Sequence, residues 1–358
     1  MKSILHLLEG DQTLGRGPRF WCTALVVLVG ALVFGGLASS FAVDTASYFL
    51  VWVFMALGLA LMWGLSGTLS FGQTAFFGLG GYCYAIVATN FGPDNGLTLV
   101  ALLLSVFLVA VIAAIVGLFM FFGGARGVFV SIITLAISLS LETFLSQTAG
   151  PQWKLGSALI GGFNGITSMP PITIPWFGSD YEVTGRAFYY AIVAVLVLTY
   201  LALRIVGNSR FGDAMVAVRE NPRRAEALGY NVKAVLLAAF VLGSSLAGVS
   251  GVAFTTWGLY VSPDTMGLAA AAMPIVWTAV SGKDLTATFI GTILLLALSQ
   301  TLAIYGSQYA YVALGVVLIA SVLTCPEGIV EKAMRLSLSQ SGPGNKVRTT
   351  SRARWRNA

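Results

Sequence analysis

The chain is predicted to be an all-α polytopic membrane protein with about ten transmembrane helices and both termini cytoplasmic. Three observations predict it. Of 358 residues, 57% are hydrophobic and 9% charged, against roughly 45–50% and 25% in a soluble domain. The apolar residues gather in ten runs, near 21–40, 46–65, 72–90, 98–122, 128–148, 187–206, 234–257, 266–281, 285–304 and 309–324, most of them close to the ~20 residues that a bilayer crossing needs. With the N-terminus inside, 18 of the 20 Lys and Arg fall on cytoplasmic segments, leaving only Lys154 and Arg186 outside, as the positive-inside rule requires. An odd number of spans would scramble that partition. The runs are read as helices because backbone in lipid must satisfy its own hydrogen bonds.

Taken in order, the first run follows a polar leader and is too long for the apolar core of a signal peptide, so it is read as an uncleaved first helix. The second ends at "SGTLSFGQTAFFGLGGY", residues 66–82, where Gly67, Gly72, Gly78, Gly80 and Gly81 interrupt the apolar pattern. Glycine costs about 1 kcal/mol relative to alanine in a helix, so this stretch is expected to be a break or a tight helix crossing. The fifth span carries Ser131, Thr134, Ser138, Glu142 and Ser146 at intervals of three and four, which places them on one helix face. In the seventh, Gly243, Ala247 and Gly251 form a small-residue ridge suited to close packing. "WGLSGTLS" at 63–70 and "WGLYVSPD" at 257–264 form a faint internal echo in opposite orientation, as an inverted repeat would require. The membrane domain is expected to occupy residues 1–330. From 331 a basic, disordered cytoplasmic tail is expected near anionic headgroups, with no acidic residue after Glu331.

The net charge of +6 follows from topology rather than from nucleic-acid binding. Cys22, Cys83 and Cys325 are scattered and odd in number, which points to neither disulfides nor a metal site. His6 is the single histidine, near the terminus. No G-x-x-x-x-G-K-[ST] loop, metal-ligand cluster or nucleophile–base pair is present, so the chain is not expected to be an enzyme or to bind a cofactor of its own. A pore or carrier remains, with Ser70, Phe71, Gln73, Ser138 and Glu142 as candidate pathway residues. Glu142 supports two readings, a pathway or gating acid, or a carboxylate that snorkels outward or bonds a neighbouring helix.

Between the sixth and seventh spans lies "NSRFGDAMVAVRENPRRAEALGYNVK", residues 208–233. Asn221 is placed to cap a short helix, with Pro222 in its first turn and Gly229 just past its end. Such a helix suits headgroups or a groove on a cytoplasmic partner. With no motor motif in the chain, the second reading gains weight.

Four segments then carry a resemblance: "GTLSFGQTAFFGLGGY" at 67–82, "RGVFVSIITLAI" at 126–137 with "GGFNGIT" at 161–167, "SRFGDAMVAVRENPRRAEALGYNV" at 209–232 and "CPEGIV" at 325–330. In that order they resemble the permease subunits of ABC importers for branched-chain amino acids, and their relatives for urea and short amides. The resemblance implies a ten-helix inner-membrane permease working with a homologous second permease, two cytoplasmic ATPases that use ATP, and an extracytoplasmic solute-binding protein. "AEALG", Ala225 to Gly229, would then match the coupling motif, with Arg210, Arg219, Arg223, Glu226 and Gly229 at the ATPase contact. The binding protein would dock on outer loops including 149–186. The turn Ser281-Gly282-Lys283-Asp284 departs from the Gly-Gly-x-Gly form usual in that family. "SIIT" at 131–134, "ALGY" at 227–230 and "IVW" at 275–277 lean toward the urea branch. The alternative is an ion-coupled secondary transporter using Glu142; a passive channel would need no coupling loop.

Overall fold

The computed structural model describes residues 7–10, 12–15, 18–91, 97–167, 169–176, 179–304 and 306–339. His6 lies outside them. Each of the ten apolar runs falls on a helix: α1 (Pro18–Leu37), α2 (Ser40–Leu59), α3 (Gln73–Phe91), α4 (Thr98–Phe122), α5 (Val128–Ser146), α6 (Gly185–Gly207), α9 (Val232–Gly258), α10 (Leu268–Ser281), α11 (Leu285–Ala303) and α12 (Ser307–Thr324). Between α6 and α9 lie two short helices, α7 (Arg210–Glu220) and α8 (Pro222–Ala227), and α13 (Ile329–Ser339) follows α12.

Among the described residues, seven helices are long and apolar enough to cross a membrane, or eight if α12 and α13, bent by 51° at their junction, form one broken span. Three of the ten fall short on their own: α12 qualifies only together with α13, and the other two fall short for identifiable reasons. In α3, glycines, tyrosines, Gln73 and Asn90 dilute the apolar residues, and α10 has only 14 residues, with Pro274 inside. The structure therefore agrees with ten helical runs but not with ten equally apolar ones.

Helix α9 is the hub. Its small residues let α2, α3 and α4 approach so closely that a Cβ on Gly251 would sit 1.8 Å from the Phe77 carbonyl oxygen, and one on Gly80 2.4 Å from that of Gly248. The ridge read from the sequence packs as expected: Gly243 faces Met62 and the Gly58 carbonyl. Ser250 Oγ adds a hydrogen bond to the Val51 carbonyl at 2.7 Å. Beside this crossing Trp52 stacks on Phe77 at 4.7 Å, with Phe254 and Trp277 against the same indole. Helix α1 is peripheral; Tyr189 of α6 holds it through the Ala31 carbonyl at 2.9 Å, while Leu25, Val26 and Leu37 are exposed as lipid-facing residues would be.

Contacts sort the helix ends into two groups. At the basic, inner end, residues 8–10, 12–15, 63–68, 126, 204–232, 282–286 and 327–335 interlock. At the outer end, the 149–184 loop forms three short antiparallel pairs: β1 (Lys154–Leu155) with β2 (Ala158–Leu159), β4 (Thr173–Trp176) with β5 (Ser179–Glu182), and β3 (Ile166–Thr167) with β6 (Tyr260–Val261). The last pairing staples this loop to the turn after α9. The boundary expected at residue 330 falls inside α13, which continues the chain as helix to Ser339 and buries Glu331 against the membrane domain. The disordered tail expected from 331 is thus corrected for 331–339; residues 340–358 lie outside the described residues.

Candidate functional site

The glycine-rich stretch is both a break and a crossing. After Leu59 helix α2 widens into a π-helical turn, Ala60–Ser66, ended by Gly67 in the left-handed conformation (φ 74°). The chain then runs without helical bonding until α3 begins at Gln73. Beyond the break, Gly80 and Gly81 pack on α9 and Gly78 on Met266.

Backbone freed by such a break must find partners inside the protein. The α5 polar stripe supplies them. Ser131 Oγ donates to the Leu69 carbonyl at 2.9 Å, the Phe71 N–H donates to Thr134 Oγ1 at 3.2 Å, and the Thr74 and Ser138 hydroxyls lie 2.9 Å apart. Ser70 Oγ accepts from the Gly72 N–H at 3.2 Å and so begins α3. A Cβ on Gly72 would meet Thr134 at 2.8 Å, so only glycine allows this approach.

The structure thus brings Ser70, Phe71, Gln73 and Ser138 together around the break, buried except for half-buried Phe71. Gln73 Nε2 lies 3.1 Å from Met62 Sδ, and its Oε1 has no partner among the described residues. Glu142 sits apart, one turn further out on the same stripe. Its Oε1 would touch a Cβ on Gly267 at 3.0 Å, and Gly267 is the N-cap of α10. A carboxylate there meets the positive end of the α10 dipole. Two clefts lie among the described residues, neither lined by these five, and only the inner one borders the break. One of about 310 Å³ lies outside, between Asp44, Thr184, Phe188 and Trp257; one of about 150 Å³ lies inside, between Ser66, Gly67, Thr68, Arg126, Arg219 and Pro222.

Below the break stand α7 and α8. Asn221 caps α8 through the Arg224 N–H at 3.0 Å, with Pro222 at its first position. Gly229 (φ 87°) closes it: its N–H reaches the Glu226 carbonyl at 2.9 Å and the Tyr230 N–H the Ala225 carbonyl at 3.1 Å, a Schellman pair. Val218, Ala225 and Val232 tie the three helices at one small apolar contact. Arg210, Arg223 and Glu226 are exposed, Glu226 with Arg126 at 3.5 Å. Leu228 and Tyr230 are exposed at the tip. Arg219 differs from the rest: its guanidinium turns inward to the Gly64 carbonyl and to Glu220.

Sequence reasoning missed the inner lock. Arg204 is fully buried and donates to the carbonyls of Leu8, Leu14 and Gly15 and to the Tyr200 hydroxyl at 2.6–3.1 Å. Asp284 accepts from Leu14 N–H at 2.9 Å and Thr286 N–H at 2.8 Å. Burial pushes its carboxyl above the ordinary range, opposed by the backbone N–H groups of Leu14, Thr286 and Ala287 and by Arg204. Glu331 accepts from the N–H groups of Lys283 and Asp284 at 3.1 and 3.3 Å, so the unusual turn is anchored by α13. The signals in sequence were an arginine in the last turn of an apolar helix and the unusual turn at 281–284.

A multi-helix membrane domain with a broken span at its centre and a capped helix pair at one mouth defines the class, a transport permease. The comparisons name the family. A family model described as "Branched-chain amino acid transport system / permease component" matches residues 41–322, and the chain belongs to that family. It is 24% identical to the "High-affinity branched-chain amino acid transport system permease protein LivM" of Escherichia coli (strain K12) over 92% of this chain and 78% of that protein. It is 28% identical to the "Probable branched-chain amino acid transport permease protein LivH" of Methanocaldococcus jannaschii over 56% of this chain and 60% of that protein. No solved structure gave a significant match.

Proposed function

We propose that the chain is a membrane subunit of an ATP-driven importer that carries branched-chain amino acids across the inner membrane. A homologous second permease, two cytoplasmic ATPases and an extracytoplasmic binding protein complete it. The observation that carries this reading is the α7–α8 pair, a twice-capped helical projection at the basic end whose exposed residues, Arg210, Arg223, Leu228 and Tyr230, are offered to a partner groove. A helix that presents apolar and cationic side chains suits docking on a cytoplasmic protein. The substrate class follows the relatives' names; urea and short amides are the other outcome of a binding measurement on the secreted partner. Ser70, Phe71, Gln73, Ser138 and Glu142 are proposed as the pathway that opens at the break, and family membership weighs against ion coupling through Glu142.

The test is uptake of labelled leucine by the reconstituted complex. Inactivating the ATPase abolishes accumulation on this reading; accumulation that survives overturns it in favour of an ion-driven carrier. Glu226→Lys, which turns the Arg126 ion pair into a repulsion, is expected to lower uptake at least about tenfold, the change that ~1.4 kcal/mol represents, while the complex still assembles.

A further inference from the structure

We propose that Arg219 is a strut that transmits movement of the α7–α8 pair to the π-helical end of α2, so that the broken span responds to the cytoplasmic helices. The proposal rests on the ATP-coupled reading and assigns Arg219 a role inside this chain rather than at the ATPase surface. Arg219 occupies the last turn of α7, two residues before the Asn221 cap of α8, so a displacement of α8 carries it along. Its Nη1 donates to the Gly64 carbonyl, while Nε and Nη2 hold Glu220 Oε1 at 3.2 and 2.9 Å. The side-chain stem lies on the left-handed turn: a Cβ on Gly67 would be 2.8 Å from Arg219 Cγ.

The opposite flank of the same turn is fixed. A Cβ on Gly64 would lie 2.3 Å from the Lys283 carbonyl oxygen, Lys283 Nζ sits 4.3 Å from the Trp63 ring centroid, and Glu331 anchors that turn. Residues 60–68 are therefore held between an anchored neighbour and the α7–α8 pair, the side that moves on this proposal. The inner cleft, lined by Ser66, Gly67, Thr68 and Arg219, leaves room on the movable side. A π-turn is an α-helix with one residue too many in its ring. Returning it to α-helical bonding rotates the chain downstream of it and breaks the Leu69–Ser131 and Phe71–Thr134 bonds, which makes the segment a two-state element of the kind that coupling requires.

An arginine on a helix's last carbonyls also serves as an ordinary C-cap, so the test reads a property that capping alone does not change. Cys22, Cys83 and Cys325 are replaced by serine, Thr68→Cys is introduced in the cleft, and the assembled complex is labelled from the inner side with a membrane-impermeant maleimide. Labelling is compared without nucleotide and with ATP trapped. With Arg219 present the rate is expected to change severalfold on trapping. In Arg219→Ala the change is lost, and uptake per ATP hydrolysed falls about tenfold, in line with losing a charged hydrogen bond. Arg219→Lys, which keeps the charge but not the fork, supplies the same reading if the alanine variant does not assemble. Nucleotide-dependent labelling that persists in both variants overturns the strut alone. Labelling indifferent to nucleotide in the parent overturns the ATP-coupled reading and the strut with it.

Discussion

Thr134 does two things at once: its Oγ1 accepts from the Phe71 N–H at 3.2 Å and donates to the Val130 carbonyl at 2.8 Å. Thr134→Val keeps the shape and strands the Phe71 donor. An unsatisfied buried donor costs about 1–3 kcal/mol, whereas side-chain bonds between membrane helices average about 0.6 kcal/mol. A loss of about 1 kcal/mol is expected in detergent unfolding, with Thr134→Ser close to the parent. For Glu142 the dipole of α10 contributes about 0.3–1 kcal/mol, too little to explain an acid at this depth. Glu142→Gln is expected to lower uptake while the amount in the membrane stays constant, and wild-type uptake would return the residue to a packing role. Asp284 makes the pH dependence explicit. Its pKa is raised on folding, so the folded state holds the proton more tightly. Its stability contribution is fully present below the ordinary carboxylate range and is lost as pH rises through the raised value. Asp284→Asn should flatten that slope in unfolding midpoints taken from acid to neutral pH.

At the scale of elements, two glycine classes separate sharply. Gly251→Ala drives a methyl into the Phe77 carbonyl of the α3–α9 crossing. Overpacking of this kind costs about 1–3 kcal/mol, and a backbone obstacle that cannot rotate away places this variant at the upper end. Gly30→Ala on α1 meets nothing within 4 Å and is expected to be neutral or to stabilise by up to about 1 kcal/mol. Thermal unfolding of the two variants side by side checks both. The existence of the helices was legible because each carries its own apolar run, and the caps of α8 because Asn221, Pro222 and Gly229 act locally. The π-turn was not, since residues 60–66 read as ordinary apolar helix and one extra residue per ring leaves no compositional mark. The α5 stripe was visible in its spacing, but its hydrogen-bonding role depends on residues 69–74, more than fifty positions away.

Across the whole molecule, the two-ended organisation was legible from charge alone. The lock at the inner end was not, because Arg204 is bonded mainly to backbone carbonyls, which have no side-chain signature, and they lie up to 196 residues distant. Arg204→Met leaves the carbonyls of Leu8, Leu14 and Gly15 without this donor, whereas deleting residues 7–15 leaves a buried guanidinium unanswered. Breaking a buried charge's contacts costs roughly 3–5 kcal/mol, so the deletion is expected to be the more damaging of the two in unfolding assays. The same lock sets an order of events. Leu14 must find Asp284, 270 positions later, so this clasp cannot close until the start of α11 has been delivered to the bilayer. A chain halted before residue 284 therefore lacks one side of the clasp, although Arg204 is already present to hold the carbonyls of Leu8, Leu14 and Gly15. Protease protection of this N-terminal segment, followed as translation lengthens the chain, would report closure of that clasp.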